Sequence, residues 1–388
     1  MLNSVFAITK GLGANSAAGA SGSSQQLATR PMVNIGNSCY INSVLQMLAA
    51  IPGFQDHLST MQETFAHRHS DSAASLGGSS SSAAMAPSYI NRQSPPLLAG
   101  LCTLLTSVLN KPAASTLGPL DITNLRSHFQ APFSAKQQQD AEEFLTYILD
   151  YLETACGYKP FTAWLNMLQG GVTGSIQCDI CKHVTSKMDP FTVLKIKFAS
   201  SFCKTTVDIT DLLAYNFAPE RLVRENQFQC FPCGITKQDA TKTSLFSSSC
   251  PNCMQPCNPA TLLMSFARFN LDVYTGIRTK ILTPVNFGRA LQFRDHLIYD
   301  LIGIIIHDGN TDVSGHYYAY LRLANGVDLG HSWYVVNDKV VRPISDDEID
   351  TMCTGRHKFG VTPYILSYQC RQSRPVFLAP RCACRQRV

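Results

Sequence analysis

The chain has 388 residues, 45% hydrophobic and only 15% charged, with a net charge of +5. That length supports a sizeable core in one large domain or two, and so mild a positive charge does not by itself indicate nucleic acid. No apolar stretch approaches the ~20 residues of a membrane span. The fifteen cysteines, odd in number and without a convincing secretion signal, read as reduced thiols of the cytosol or nucleus.

Residues 1–30 are rich in Gly, Ser and Ala and are expected to form a disordered leader; the apolar run Val5 to Ile8 is too short for a signal-peptide core. Asn34-Ile35-Gly36-Asn37-Ser38-Cys39 then puts a cysteine behind a glycine turn. Ile41, Val44, Leu45 and Leu48 follow at i, i+3, i+4 and i+7, an amphipathic helix that Ile51-Pro52-Gly53 ends. Asn37 or Ser38 is the predicted N-cap, so the Cys39 sulfur would lie at the positive end of the helix dipole, where a thiolate is favoured. Locally the competing reading is a buried core cysteine, since free Cys is among the most buried residue types.

Asp71 to Pro87 is a second Ser/Ala-rich tract, read as part of a flexible insertion over about 66–96. Ala141, Phe144, Leu145, Ile148, Leu149 and Leu152 mark a strong helix with Asp140 as its N-cap. Leu301–Ile306, Tyr317–Leu323, Trp333–Val336 and Tyr364–Tyr368 read as strands, so helices precede strands and the class is α+β. Residues 371–388 carry arginines and no acid, a basic tail.

Cys178-Asp179-Ile180-Cys181 and Cys230-Phe231-Pro232-Cys233 are two C-x2-C knuckles, a pattern that completes a tetrahedral four-cysteine zinc site. Such a site has no open position for water, so the zinc is expected to be structural and to pin the ends of two long hairpins. Cys250, Cys253 and Cys257 leave the ligand set open. No cluster of Lys/Arg with interleaved aromatics surrounds the knuckles, which argues against a nucleic-acid ribbon.

A cysteine nucleophile needs a base and a group that orients the base. His57, His67, His69 and His128 have no motif to recommend them; His316 opens an aromatic strand in Gly315-His316-Tyr317-Tyr318-Ala319-Tyr320. Trp333-Tyr334-Val335-Val336-Asn337-Asp338 ends in an amide and a carboxylate, either of which could accept the imidazole N–H across paired strands. His307 is the rival base.

These motifs together resemble the ubiquitin-specific proteases, papain-like cysteine deubiquitinases. The Asn34–Ser43 stretch is similar to that family's cysteine box, Gln138-Gln139-Asp140-Ala141-Glu142-Glu143-Phe144-Leu145 to its glutamine-aspartate motif, and the His316 and Asn337 segments to its histidine and final boxes. Tyr364–Tyr368 resembles its closing strand and Arg268-Phe269 its arginine-phenylalanine strand, so the likeness spans about 31–370. Ser38 stands where threonine is usual, a mild departure. The resemblance implies a papain-like fold with helical thumb, β palm and zinc-ribbon fingers, the fingers over about 171–265. It implies Cys39 as nucleophile, His316 as general base and Asn337 as its orienting residue, with Asp338 as runner-up or helper. Asn34 would supply an oxyanion-hole amide, Gln139 and Asp140 would bind the substrate tail, and Cys178, Cys181, Cys230 and Cys233 would hold Zn2+. The implied reaction is hydrolysis of the isopeptide bond after ubiquitin's Gly-Gly. The implied partners are ubiquitin and ubiquitinated proteins, with no nucleic acid and no membrane, and the chain is expected to act as a monomer. A catalytically silent ubiquitin-binding scaffold is the alternative, against which the intact Cys39, His316 and Asn337 argue.

Overall fold

The computed structural model describes residues 7–9, 29–54, 95–109, 118–156, 167–199, 206–246, 258–293, 297–311, 314–324 and 331–371. The chain divides into two compact units, one of Met1–Gly13, Leu165–Leu301 and Asp347–Val388, the other of Ala14–Trp164 and Ile302–Asp346. No helix among the described residues is long and apolar enough to cross a membrane.

In the second unit the cysteine helix runs Cys39–Ala50, and every residue from Cys39 to Ala49 is buried. The apolar stripe predicted only one buried face. The helix is enclosed on the others because it packs on the His316–Ala324 strand and on the Pro95–Leu109 and Ala141–Cys156 helices. Its polar side chains are therefore buried too, and Asn42, Ser43 and Gln46 each donate a hydrogen bond, as burial without any would be costly. Gln46 Nε2 donates to the Arg30 carbonyl at 2.7 Å and the Ser43 hydroxyl to the Tyr40 carbonyl at 3.1 Å. The Ala141–Cys156 helix buries the predicted apolar positions. Its Phe144 ring sits 5.5 Å from Tyr40 and 5.3 Å from Phe133, edge-on in both cases, the favoured aromatic geometry. From Ile302 onward, the Ile298–Asp308 strand pairs with His316–Ala324, which pairs with His331–Asn337 and that with Val340–Pro343, all antiparallel.

In the first unit, Gly170–Cys178 pairs with both Val184–Phe191 and Ala240–Phe246, and Glu220–Leu222 adds to the latter. A separate short hairpin joins Phe228–Cys230 to Thr236–Gln238. The Val361–Cys370 strand pairs with Thr261–Phe266, which runs parallel to Val193–Ile196. Arg268, fully buried, donates to the carbonyls of Pro363, Ile281 and Thr283 at 2.8–3.0 Å and lies against the rings of Phe198 and Phe266. Burial pulls its pKa down to about 9.

Several expectations change. Within the stretch read as a disordered leader, Ala7–Thr9 forms a strand against Ala290–Gln292, since a short apolar run can complete a sheet edge. Thr29 is also ordered, buried and bonded to Gln46 and the Val108 carbonyl. The rest of residues 1–30 lies outside the described residues, as do most of the 66–96 insertion, whose last two residues open the Pro95–Leu109 helix, and the tail beyond Arg371. Arg371, the first residue of the basic tail, grips Asp300 with two bonds of 2.7 Å. Only one of the two knuckle hairpins is long.

Candidate active site and metal centre

Cys39 opens its helix as predicted, but the turn before it is built differently from a simple cap. Ser38 occupies the N-cap position without capping; its hydroxyl accepts from the Ile35 N–H at 3.0 Å. Gly36 and Asn37 both take left-handed backbone angles, φ 94° and 51°, which glycine adopts freely and asparagine tolerates. The Asn34 side-chain oxygen ties the turn by accepting from the Gly36 N–H at 3.1 Å and the Ser38 N–H at 3.2 Å. Its amide end donates to Asp338 Oδ2 at 2.9 Å.

His316 begins its strand, and its imidazole lies close enough to the Cys39 sulfur to interact with it electrostatically. Its Nε2 lies 2.6 Å from Asn337 Oδ1 and 3.9 Å from Asp338 Oδ2. Cys39 raises the imidazole pKa to about 9 despite burial, with Asn337 and the charge of Asp338 acting in the same direction. Asp338, itself left-handed at φ 48°, is already engaged elsewhere: Oδ1 accepts from Asn42 Nδ2 at 2.7 Å, and its backbone carbonyl accepts from the Met32 N–H at 3.0 Å. The structure thus brings Cys39, His316, Asn337, Asp338 and Asn34 together.

The rival His307 is buried at 2% exposure with its ring 4.6 Å from that of Tyr317. A Cβ on Gly315 would collide with its Nε2, so His307 forms the floor under the loop that leads into His316. Asp140 caps its helix, accepting from the Glu142 N–H at 2.6 Å. Gln138 reaches the histidine loop, donating to the Gly315 carbonyl at 2.7 Å. Sequence reading missed Gln138 and Asn42. A polar residue three positions after Cys39, in a helix with so little polar surface, was the available signal for Asn42.

The four knuckle cysteines converge in the first unit, their sulfurs all within 4.8 Å of one another. Left-handed backbone follows each knuckle, at Lys182 (φ 59°) after the first and at Gly234 and Ile235 (φ 79° and 61°) after the second. Cys178 and Cys233 sulfurs lie 3.9 Å apart and Cys181 and Cys230 sulfurs 3.5 Å. A tetrahedron with ~2.3 Å zinc–sulfur bonds has edges of ~3.8 Å, so the donor set fits a metal of that size. All four are free thiols. Cys250, Cys253 and Cys257 lie outside the described residues.

Known proteins resemble this chain along most of its length. The ubiquitin carboxyl-terminal hydrolase family profile matches residues 31–368. Human ubiquitin carboxyl-terminal hydrolase 42 is 26% identical over an alignment of 331 positions that covers 79% of this chain and 21% of that protein. The probable ubiquitin carboxyl-terminal hydrolase 16 of Schizosaccharomyces pombe is 24% identical, over 82% of this chain and 64% of its own length. The chain spans less than two thirds of each of these relatives. Among solved structures, the SAGA Ubp8/Sgf11/Sus1/Sgf73 DUB module bound to ubiquitin aldehyde has a chain with the same fold, at TM-score 0.63 and 20% identity over 91% of this chain and 72% of that one. A profile match across most of the sequence is decisive: the chain belongs to the ubiquitin carboxyl-terminal hydrolase family, the ubiquitin-specific proteases.

Proposed function

We propose that this protein is an active cysteine deubiquitinase that hydrolyses the isopeptide bond after the C-terminal Gly-Gly of ubiquitin on protein conjugates. The observation that carries the proposal is the single imidazole, His316, which interacts with Cys39 and lies 2.6 Å from Asn337 Oδ1. The Cys39 thiolate attacks the glycine carbonyl carbon, and the carbonyl electron pair moves onto oxygen. The Asn34 amide and the Cys39 backbone N–H are assigned to that oxyanion. An amide nitrogen carries two N–H donors, so Asn34 can keep its bond to Asp338 while offering the other. As the oxyanion collapses and the C–N bond breaks, His316 gives its proton to the departing lysine amine. Water, deprotonated by His316, then releases the thioester. Gln139 and Asp140 are assigned to the basic tail of ubiquitin, where a carboxylate makes charge-assisted bonds. Solved relatives of the same fold were captured with ubiquitin aldehyde and with monoubiquitin, which supports ubiquitin as the partner here.

A ubiquitin bearing a C-terminal electrophile tests the reading. The wild-type protein should form one covalent adduct, located at Cys39 by peptide mass; a folded protein that forms none overturns it. The pH dependence follows from His316. Its pKa is raised from 6.5 to about 9, so the proton needed by the leaving amine is held below that value and lost above it. The ratio kcat/KM should therefore fall on an alkaline limb near pH 9, and a limb near the ordinary histidine value would remove the imidazolium from the mechanism.

We read the four-cysteine centre as a structural zinc site held by Cys178, Cys181, Cys230 and Cys233. The purified protein should contain one zinc per chain, and the Cys178→Ser/Cys230→Ser variant should contain none by elemental analysis. Equal zinc in both would refute the assignment.

A further inference from the structure

Arg126 stands in the short Thr123–Ser127 helix and is 3% exposed, although no motif singles it out. An arginine in the last turn of a helix ordinarily serves its own terminal carbonyls. This one serves two other segments. Its Nη1 donates to the Gly36 carbonyl at 2.7 Å, its Nε to the Phe133 carbonyl at 3.3 Å, and its Nη2 to the Ala135 carbonyl. One of these segments is the left-handed turn ahead of Cys39; the other is the loop that runs into Gln138 and Asp140. The same two segments are joined a second time, by Asn37 Nδ2 to the Lys136 carbonyl at 3.1 Å.

The Gly36 carbonyl and the Asn37 N–H belong to one peptide plane, so a donor fixed on that oxygen fixes the plane. Two consecutive left-handed residues are uncommon in an L-chain and persist only where the surroundings over-determine them. A buried cation can be satisfied by carbonyl dipoles when several converge, and the planar guanidinium offers its donors in a fixed fork. We infer that Arg126 is a positioning residue for the hydrolysis: it holds the Gly36–Asn37–Ser38 turn in register with the Phe133–Lys136 loop, and so fixes where the oxyanion donors of Asn34 and Cys39 stand relative to the scissile carbonyl. The inference rests on the hydrolase reading above.

Lysine keeps the charge and most of the stem but brings a single nitrogen to three carbonyls. In the full chain, Arg126→Lys should lower kcat on a ubiquitin C-terminal amide at least about tenfold, since a misplacement of ~1 Å at a reacting centre can cost ~10²-fold. KM should stay within about twofold. Iodoacetamide alkylation of Cys39 forms a C–S bond and expels iodide without developing an oxyanion, so its rate should also stay within about twofold. The amount of alkylated Cys39 counts the folded sites, and kcat is expressed per such site. Unchanged kcat per site, or kcat and alkylation rate falling together, would assign Arg126 a merely structural role and overturn the inference. A wild-type protein that alkylates normally yet never cleaves the amide overturns the hydrolase reading, and this inference with it.

Discussion

Cys39→Ala should lower turnover of a fluorogenic ubiquitin substrate by at least about 10⁴-fold, the scale on which removal of a nucleophile from a concerted triad acts. Residual rate above that level would come from other groups of the site, which bind and polarise without forming a covalent bond. The variant should remain folded. Alanine removes only the sulfur from a position at 3% exposure, and the neighbouring Tyr40, Ile41 and Val44 keep the helix anchored. Ubiquitin affinity measured by calorimetry should therefore survive while turnover vanishes. Turnover unchanged in Cys39→Ala would sink the mechanism outright.

The second large effect separates Asn337 from Asp338. Asn337→Ala removes the group 2.6 Å from His316 Nε2 and frees the ring to rotate away from the thiol. Turnover should fall by about 10²–10⁴, the range spanned by loss of one positioned hydrogen-bond partner and by loss of the correct histidine orientation. Asp338→Ala leaves that bond in place. It strips partners from Asn34 and Asn42, whose bonds to the carboxylate measure 2.9 and 2.7 Å. Its effect should be expressed through the oxyanion donor, no more than ~10²–10³. The ordering is the test: if Asp338→Ala is the more damaging of the two by kcat/KM, the carboxylate, at 3.9 Å in the free protein, moves in to orient His316 when substrate is bound.

Much of this was legible in the sequence, for identifiable reasons. The Ala141–Cys156 helix announced itself because one face is apolar and the other is not, and Asp140 supplied its own start signal. The strands that carry His316 and Asn337 extend beyond their predicted cores because backbone pairing continues through residues whose side chains carry no strand preference. The convergence of the knuckle cysteines followed from ligand spacing, whereas the brevity of the second hairpin did not. Least legible were the contacts that hold the site. Nothing local marks Asn42 as the partner of an aspartate 296 positions away, or Arg126 as the donor to Gly36. Such bonds are set by tertiary packing, which a periodic pattern does not encode. The Ser38 side chain shows the converse: a good capping residue was drawn off to the Ile35 N–H by the tight turn around it.

The bond from Asn34 to Asp338 joins residues 304 positions apart, and this separation has a consequence for the life of the newly made chain. Cys39 leaves the ribosome well before His316 and before the carboxylate that secures the turn ahead of it. At ~5–20 residues per second the interval from residue 39 to residue 338 is roughly 15–60 s. Throughout that time the thiol lacks His316, and the turn lacks the carboxylate that ties Asn34. On the proposed hydrolase reading, the order of synthesis alone therefore keeps the growing chain latent until His316 and Asp338 have been added.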